Sequence, residues 1–195
     1  GKPYKNLTPE DIVRFTKAYA CFIRKSSSKK NPIVKIGRDA RVSGEMLENI
    51  VSGTLSAMGI NVVSLGLSTT PTTEMAVMHY NADGGIILTA SHNPEHWNAL
   101  KLLNSKGEFK TKEEGNIFQQ FLQNDNNEYM TYDEIGSISK TGNFIQEHID
   151  KILKLPLIDV EAIRNAKFVI VADAINSTGA IALPPLFDAL GVEKY

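Results

Sequence analysis

Three short apolar runs, at 32–36, 60–65 and 84–88, alternate with segments whose apolar residues recur at helical spacing. That alternation constrains the fold more than any single motif. Thr8-Pro9-Glu10-Asp11 starts the first helix with an N-cap threonine, a proline at the first position and acids in the first turn. Ile12, Phe15, Tyr19 and Phe22 or Ile23 then form one buried face. Ser43 is expected to cap a second helix carrying Leu47, Ile50, Val51, Leu55 and Met58, which Gly59 ends. A third opens at Thr70-Pro71 and carries Met75, Met78 and a structural His79. The resulting β-α-β-α-β order predicts an α/β fold, a doubly wound, mixed but mainly parallel sheet flanked by helices, with right-handed crossovers.

The mixed character comes from the segment after Lys101. Asn104 to Glu108 reads as a turn between short strands, which predicts an added antiparallel strand at Phe109. Thr111 and Glu114 form a capping box for a helix that buries Ile117, Phe118, Phe121 and Leu122. Residues 123–138 are polar and irregular, and 143–155 reads as a helix with His148 on its solvated face. Beyond a short helix at 160–163, residues 167–172 have the apolar pattern of a new buried strand. A polar turn, 173–179, and a helix to Leu190 closed by Gly191 complete the pattern. The division is therefore a first domain, 1–155, and the first βα unit of a second, similar domain, 156–195, which reads as truncated.

Composition excludes several classes. A formal net charge of −1 argues against a nucleic-acid binder working by bulk electrostatics. No apolar run approaches the ~20 residues needed to cross a bilayer, so no membrane partner is expected. The single Cys21 cannot form an intrachain disulfide and reads as a core or boundary residue, and no signal peptide is visible. A cytoplasmic setting is the expectation.

The chemistry concentrates where the third run ends. Gly84-Gly85-Ile86-Ile87-Leu88 passes abruptly into Thr89-Ala90-Ser91-His92-Asn93-Pro94. Asn-Pro initiates turns, and proline bars its predecessor from helical geometry. Ser91 and His92 thus belong on a loop at the carboxyl end of a central strand, where open α/β sheets bind ligands. From the residues alone, the hydroxyl could be a nucleophile, a phosphate ligand or a plain turn residue. The Gly-x-Ser-x-Gly elbow is absent, which gives a Ser-His-Asp hydrolase little support. Lys101 follows ten positions after Ser91 and could approach it if the loop folds back. Arg38 and Arg41, in Gly37-Arg38-Asp39-Ala40-Arg41, precede a helix N-terminus, where anions are favoured.

Thr89-Ala90-Ser91-His92-Asn93-Pro94, with Trp97-Asn98 and Lys101, resembles the active-serine loop of the α-D-phosphohexomutases, and Gly-Arg-Asp-x-Arg resembles the loop that buttresses it. One departure is Ala99, where the family commonly has glycine. The resemblance implies a serine that passes a phosphoryl group to a hexose phosphate and takes one back from a hexose 1,6-bisphosphate. It makes Ser91 the phosphoserine, Lys101 a general acid/base and His92 their neighbour, with Arg38, ahead of Arg41, and Asn93 as active-site support.

It also implies Mg²⁺, with Ser91 a ligand through its phosphoryl group. No Asp-x-Asp pair occurs in this chain, and the family's metal aspartates lie in its second domain, beyond Tyr195. The chain alone is therefore expected to be inactive. Glucose, mannose and glucosamine phosphates stay open as substrates, and so does a non-catalytic sugar-phosphate-binding relative.

Overall fold

The computed structural model describes residues 1–124, 128–142 and 144–193. Its sheet has five strands in the order β4-β3-β1-β2-β5, where β1 is Ile33–Arg38, β2 Asn61–Leu67, β3 Gly84–Leu88, β4 Leu100–Leu103 and β5 Ile138–Lys140. β1 pairs in parallel with both β2 and β3, β2 pairs in parallel with β5, and β4 runs antiparallel to β3. The expected mixed, mainly parallel sheet is thus present. The chain moves outward from β1 to β2, then returns past β1 to reach β3. The carboxyl ends of β1 and β3 therefore flank the switch point of the sheet, where open α/β sheets leave a crevice.

Helices cover both faces. α1 (Pro9–Ser26) packs against α2 (Gly44–Ala57) and α4 (Lys112–Gln123), and α3 (Thr70–His79) packs against α5 (Phe144–Ile152). The larger core joins Ile12, Tyr19 and Ile23 of α1 and Leu47, Val51 and Leu55 of α2 to Val34, Ile36, Val62, Ile86 and Leu88 of the sheet. Each such side chain contributes roughly 1.5–3 kcal/mol on burial. The smaller core joins Val77, Ala82, Ile87 and Leu103.

β3 is buried along its whole length, and its glycines permit the approach of both layers. A Cβ on Gly84 would lie 2.2 Å from the Tyr19 hydroxyl, and one on Gly85 would lie 2.7 Å from Val77. Tyr19 uses that space to set its hydroxyl between the carbonyls of Gly85 (3.0 Å) and Leu103 (2.7 Å), which share its one proton and tie α1 to β3 and β4. Burial holds its phenol well above the usual tyrosine range.

Several local expectations hold. Thr8 caps α1, and does so in a capping box with Asp11; Thr111 and Glu114 form the expected capping box, and Gly191 ends α7 (Gly179–Leu190) in the left-handed region at φ 73°. Others change. Phe109 forms only an isolated bridge to Leu103; the antiparallel edge strand is β4, and the opposite edge is β5, drawn from the end of the segment read as irregular. Ser43 makes no side-chain cap; its hydroxyl accepts from Asn98 at 3.0 Å. His148 is not on a solvated face, since its Nδ1 pairs with the Thr72 hydroxyl at 3.0 Å, and burial lowers its pKa. Asn143, expected to begin that helix, lies outside the described residues.

The largest change is at 167–172. The apolar pattern predicts a buried strand, yet Val169 and Val171 are 73% and 96% exposed and no named strand forms there. A central strand needs ladder partners, and none of the five strands lies beside it. The helices around it do form, as α6 (Val160–Asn165) and α7, and α7 packs on α6 and α5.

Candidate active site

Two loops meet at the switch point. One leaves β1 with Asp39 to Ser43; the other leaves β3 with Thr89 to Ala99. The Asp39 amide donates to the Leu88 carbonyl at 3.1 Å, which aligns the two exits. Ala99 closes the second loop, since its carbonyl accepts from Thr89 N at 3.1 Å as β4 begins.

Arg41 holds the second loop together. Its Nε donates to the Asp39 carboxylate at 2.9 Å. Nη1 donates to the carbonyls of Pro94 (2.7 Å) and Trp97 (3.0 Å), and Nη2 to those of Ser91 (2.8 Å) and Asn93 (2.9 Å). A guanidinium has five N–H donors, so Arg41 is saturated. It has none left for a phosphate, and its contribution is to fix backbone. Asp39 completes the clamp by accepting from Arg41 N at 3.1 Å and from the Thr89 hydroxyl at 2.7 Å. Thr89 in turn accepts from the Ser91 amide at 3.0 Å.

The clamp imposes an unusual backbone on the serine. Ser91 lies at φ 55°, in the left-handed region that costs an L-residue roughly 1–2 kcal/mol. Its neighbourhood over-determines this geometry: the amide is fixed by Thr89 and the carbonyl by Arg41. Ser91 is exposed, as is His92. Asn93 closes the turn by donating from Nδ2 to the Ala90 carbonyl at 2.9 Å.

The other expected residues are placed differently. Arg38, put ahead of Arg41 on sequence grounds, turns to Glu48, with Nε 2.8 Å from its carboxylate, and only its Nη1 reaches toward the Asp39 carbonyl, at 3.4 Å. The loop clamp is Arg41. Lys101 lies on β4 opposite Ile87, with its ammonium 5.9 Å from the Phe109 ring, and its charge opposes the burial that raises the Glu74 pKa. Among the described residues no hydrogen bond joins Lys101 to Ser91. The sequence supplied a weak signal for Asp39 and Thr89: an acid two positions before an arginine at one strand exit, and a hydroxyl two positions before a serine at the next.

Ser91 borders a cleft of about 330 Å³, whose walls include Asp39, Ser68, Thr70 and Thr89 on one side and Asp173, Ser177 and Thr178 on the other. The two sides touch where the Ala40 amide donates to the Ser177 hydroxyl at 3.4 Å. The lining is rich in hydroxyls and holds two carboxylates but no lysine or arginine. A phosphoryl group on Ser91 would bring about −1.5 to −2 charges into it. Compensating positive charge must reach it from outside this lining. The same test bears on Mg²⁺: among the described residues no three His, Cys, Asp or Glu side chains are grouped to hold a metal. The residues present do not form a magnesium shell by themselves.

Fold and site together define an α/β chain that presents a clamped serine at a sheet switch point. Residues 1–128 match the family described as phosphoglucomutase/phosphomannomutase, alpha/beta/alpha domain I. The chain is 36% identical over 192 residues to a phosphoglucomutase/phosphomannomutase of Thermococcus kodakarensis, covering 98% of this chain and 41% of that protein. It is 32% identical over 192 residues to a phosphoglucosamine/phosphogalactosamine mutase of Sulfurisphaera tokodaii, with the same 98% and 41% coverage. The crystal structure of a candidate phosphomannomutase from Thermus thermophilus superposes with a TM-score of 0.78 at 27% identity, over 94% of this chain and 40% of that one. Parafusin of Paramecium, a phosphoglucomutase in its open form, shares the fold at a TM-score of 0.75 and 19% identity, over 99% of this chain and 40% of that one.

The chain belongs to the phosphoglucomutase/phosphomannomutase family, and it spans 41% of the length of these curated relatives.

Proposed function

We propose that this chain is the serine-bearing part of a phosphohexomutase that interconverts hexose 1-phosphate and hexose 6-phosphate. The observation that carries the reading is the exposed Ser91 hydroxyl on a loop whose four carbonyls take up every free donor of Arg41. Such transfer depends on positioning and charge neutralisation, and a clamped loop supplies the first.

In this reading phosphorylated Ser91 is attacked by the free hydroxyl of a hexose monophosphate. The Oγ–P bond breaks, the new O–P bond gives a hexose 1,6-bisphosphate, the sugar hydroxyl's proton passes to a base, and the leaving Ser91 oxygen takes up a proton. Ser91 Oγ then attacks the other phosphorus and gives up that proton, the O–P bond to the sugar breaks, and the freed sugar oxygen is protonated, which leaves Ser91 rephosphorylated and releases the isomeric monophosphate. Lys101 is the first candidate for the acid/base and His92 the second. Lys101, whose ammonium lies beside the Phe109 ring, must turn toward Ser91 to serve. Asn93 supports the turn directly, and Arg38 supports it from the strand behind.

Mg²⁺ would supply electrophilic charge at the phosphoryl oxygens, with Ser91 contributing those oxygens and the other ligands coming from outside this chain. The division into a first domain, 1–155, and the beginning of a second, 156–195, belongs to the same proposal, as does a cytoplasmic setting. Among the described residues no helix is long and apolar enough to cross a membrane. The relatives' names span glucose, mannose, glucosamine and galactosamine phosphates, so the sugar is left to the assay. Glucose or mannose phosphate is the first expectation and glucosamine phosphate the alternative.

A protein of the relatives' full length carrying this chain should interconvert one of these 1-phosphates with its 6-phosphate when given magnesium and a trace of the bisphosphate. Ser91→Ala should abolish turnover, and residues 1–195 alone should show none. Turnover unchanged in Ser91→Ala would refute the assignment. Tight sugar-phosphate binding without turnover would instead favour a non-catalytic relative.

A further inference from the structure

Behind the serine clamp lies a second polar network, whose Glu48 and Ser64 have no part in the proposed chemistry. Glu48, on α2, is 8% exposed, an unusual place for a carboxylate without partners. Both of its oxygens are engaged. Oε1 accepts from the hydroxyl of Ser64, a buried residue of β2, and Oε2 accepts from Arg38 Nε at 2.8 Å. Ser64 Oγ also accepts from Gly66 N at 3.1 Å, so the network is anchored in the strand. At its other end Arg38 Nη1 reaches the Asp39 carbonyl, and Asp39 carries the carboxylate that holds both Arg41 and Thr89. Gly44 completes the fit, since a Cβ there would meet Arg38 Cδ at 3.2 Å.

We propose that Glu48 is a positioning residue for the Ser91 loop, acting through Arg38 on the 38–41 turn and hence on the Arg41 clamp. The physical reason is that the turn has one side chain, Arg38, rooted in the sheet, and Arg38 keeps its direction only while a buried anion holds its Nε. A neutral partner of the same shape weakens a charge-assisted bond to an ordinary one. The turn can then rotate, and the loop that depends on Asp39 and Arg41 loosens with it. The proposal rests on the mutase reading only for its consequence in phosphoryl transfer; the geometric part stands separately.

Two readouts on the complete protein test it. In Glu48→Gln, amide hydrogen exchange should rise about tenfold or more at Asp39 to Ser43 and Ser91 to Trp97, while β1, β3 and α1 stay protected. The maximal rate of Ser91 phosphorylation by hexose 1,6-bisphosphate should fall at least tenfold, with the half-saturating concentration unchanged. Because Glu48→Gln could destabilise the whole domain, a second variant replaces both members by leucine, Arg38→Leu with Glu48→Leu. Apolar replacement of a buried pair commonly preserves stability. It should keep the melting temperature yet loosen the same two loops. Loop exchange equal to wild type in both variants, or a uniform rise across the sheet, would overturn the proposal. If wild type itself does not label at Ser91, the mutase reading fails, and the exchange pattern alone decides for or against Glu48.

Discussion

Ser91 and Arg41 carry the account at the level of single residues. The left-handed backbone of Ser91 is unfavourable for any side chain, so its presence marks a geometry that the surroundings enforce. Glycine tolerates that geometry and alanine does not, hence Ser91→Gly should be more stable than Ser91→Ala by about 1 kcal/mol in denaturant titrations, although both lose the hydroxyl. Equal stabilities would mean that the loop relaxes out of the left-handed region. Arg41→Lys isolates the clamp: charge is kept, but a planar fork of five donors becomes a point charge with three. Loss of carbonyl partners should cost about 1–3 kcal/mol, and misplacing the hydroxyl should slow its phosphorylation on the order of 10²-fold. A lysine variant with wild-type phosphorylation kinetics would show that the clamp does not position the hydroxyl. The sequence named both residues but put Arg38 ahead of Arg41, and the structure reverses that order. Arg38 ends β1 and Arg41 stands three residues beyond it, and only the direction each side chain takes, one toward Glu48 and the other toward four carbonyls, separates them.

Elements were legible where their own residues decide them. The N-cap at Thr8, the capping box at Thr111 and the helical spacing of Ile12, Tyr19 and Ile23 depend on local chemistry, and they recur in the structure. β5 was not legible, because Ile138 to Lys140 is too short to show alternation and becomes a strand only by pairing with β2. Lys110 was missed for a related reason. It stands in a polar stretch, yet its ammonium lies 3.5 Å from the centre of the Phe118 ring and 5.3 Å from those of Tyr19 and Phe22, joining the β4 turn to α1 and α4. Among the described residues its Nζ has no hydrogen-bond partner, and burial pushes the group down to about 8.

That displacement has a definite sign. Between pH 8 and the ordinary lysine value of 10.5, the unfolded chain binds the proton that the folded chain has lost, so stability should rise with pH across this window. Melting curves of wild type and Lys110→Met isolate the effect from other titrations. The gap between them should change in favour of wild type from pH 8 to 10; a constant gap would show that the rings keep Lys110 charged.

At the scale of the whole molecule, the sheet order places the carboxyl ends of β1 and β3 side by side, and the clamp exists because two separate strand exits meet there. The β-α-β-α-β alternation predicted the mainly parallel sheet, and the resemblance of Gly37-Arg38-Asp39-Ala40-Arg41 to a buttressing loop implied the meeting. The alternation was not enough to predict 167–172, whose apolar pattern specifies a buried strand while its side chains stand in solvent. A pattern states what a segment can bury, and partners decide whether it does. Charge follows the same logic, since the cleft beside Ser91 has two carboxylates in its lining and no cation, so a phosphoryl group there requires positive charge brought from beyond it. The measurement that tests this account most directly charges the full-length, magnesium-loaded protein with a hexose 1,6-bisphosphate and maps the phosphoryl group by peptide mass spectrometry. The account predicts a label on Ser91 that disappears when excess hexose monophosphate is added. A protein that stays unlabelled at Ser91, or that carries a label the monophosphate cannot discharge, would contradict it.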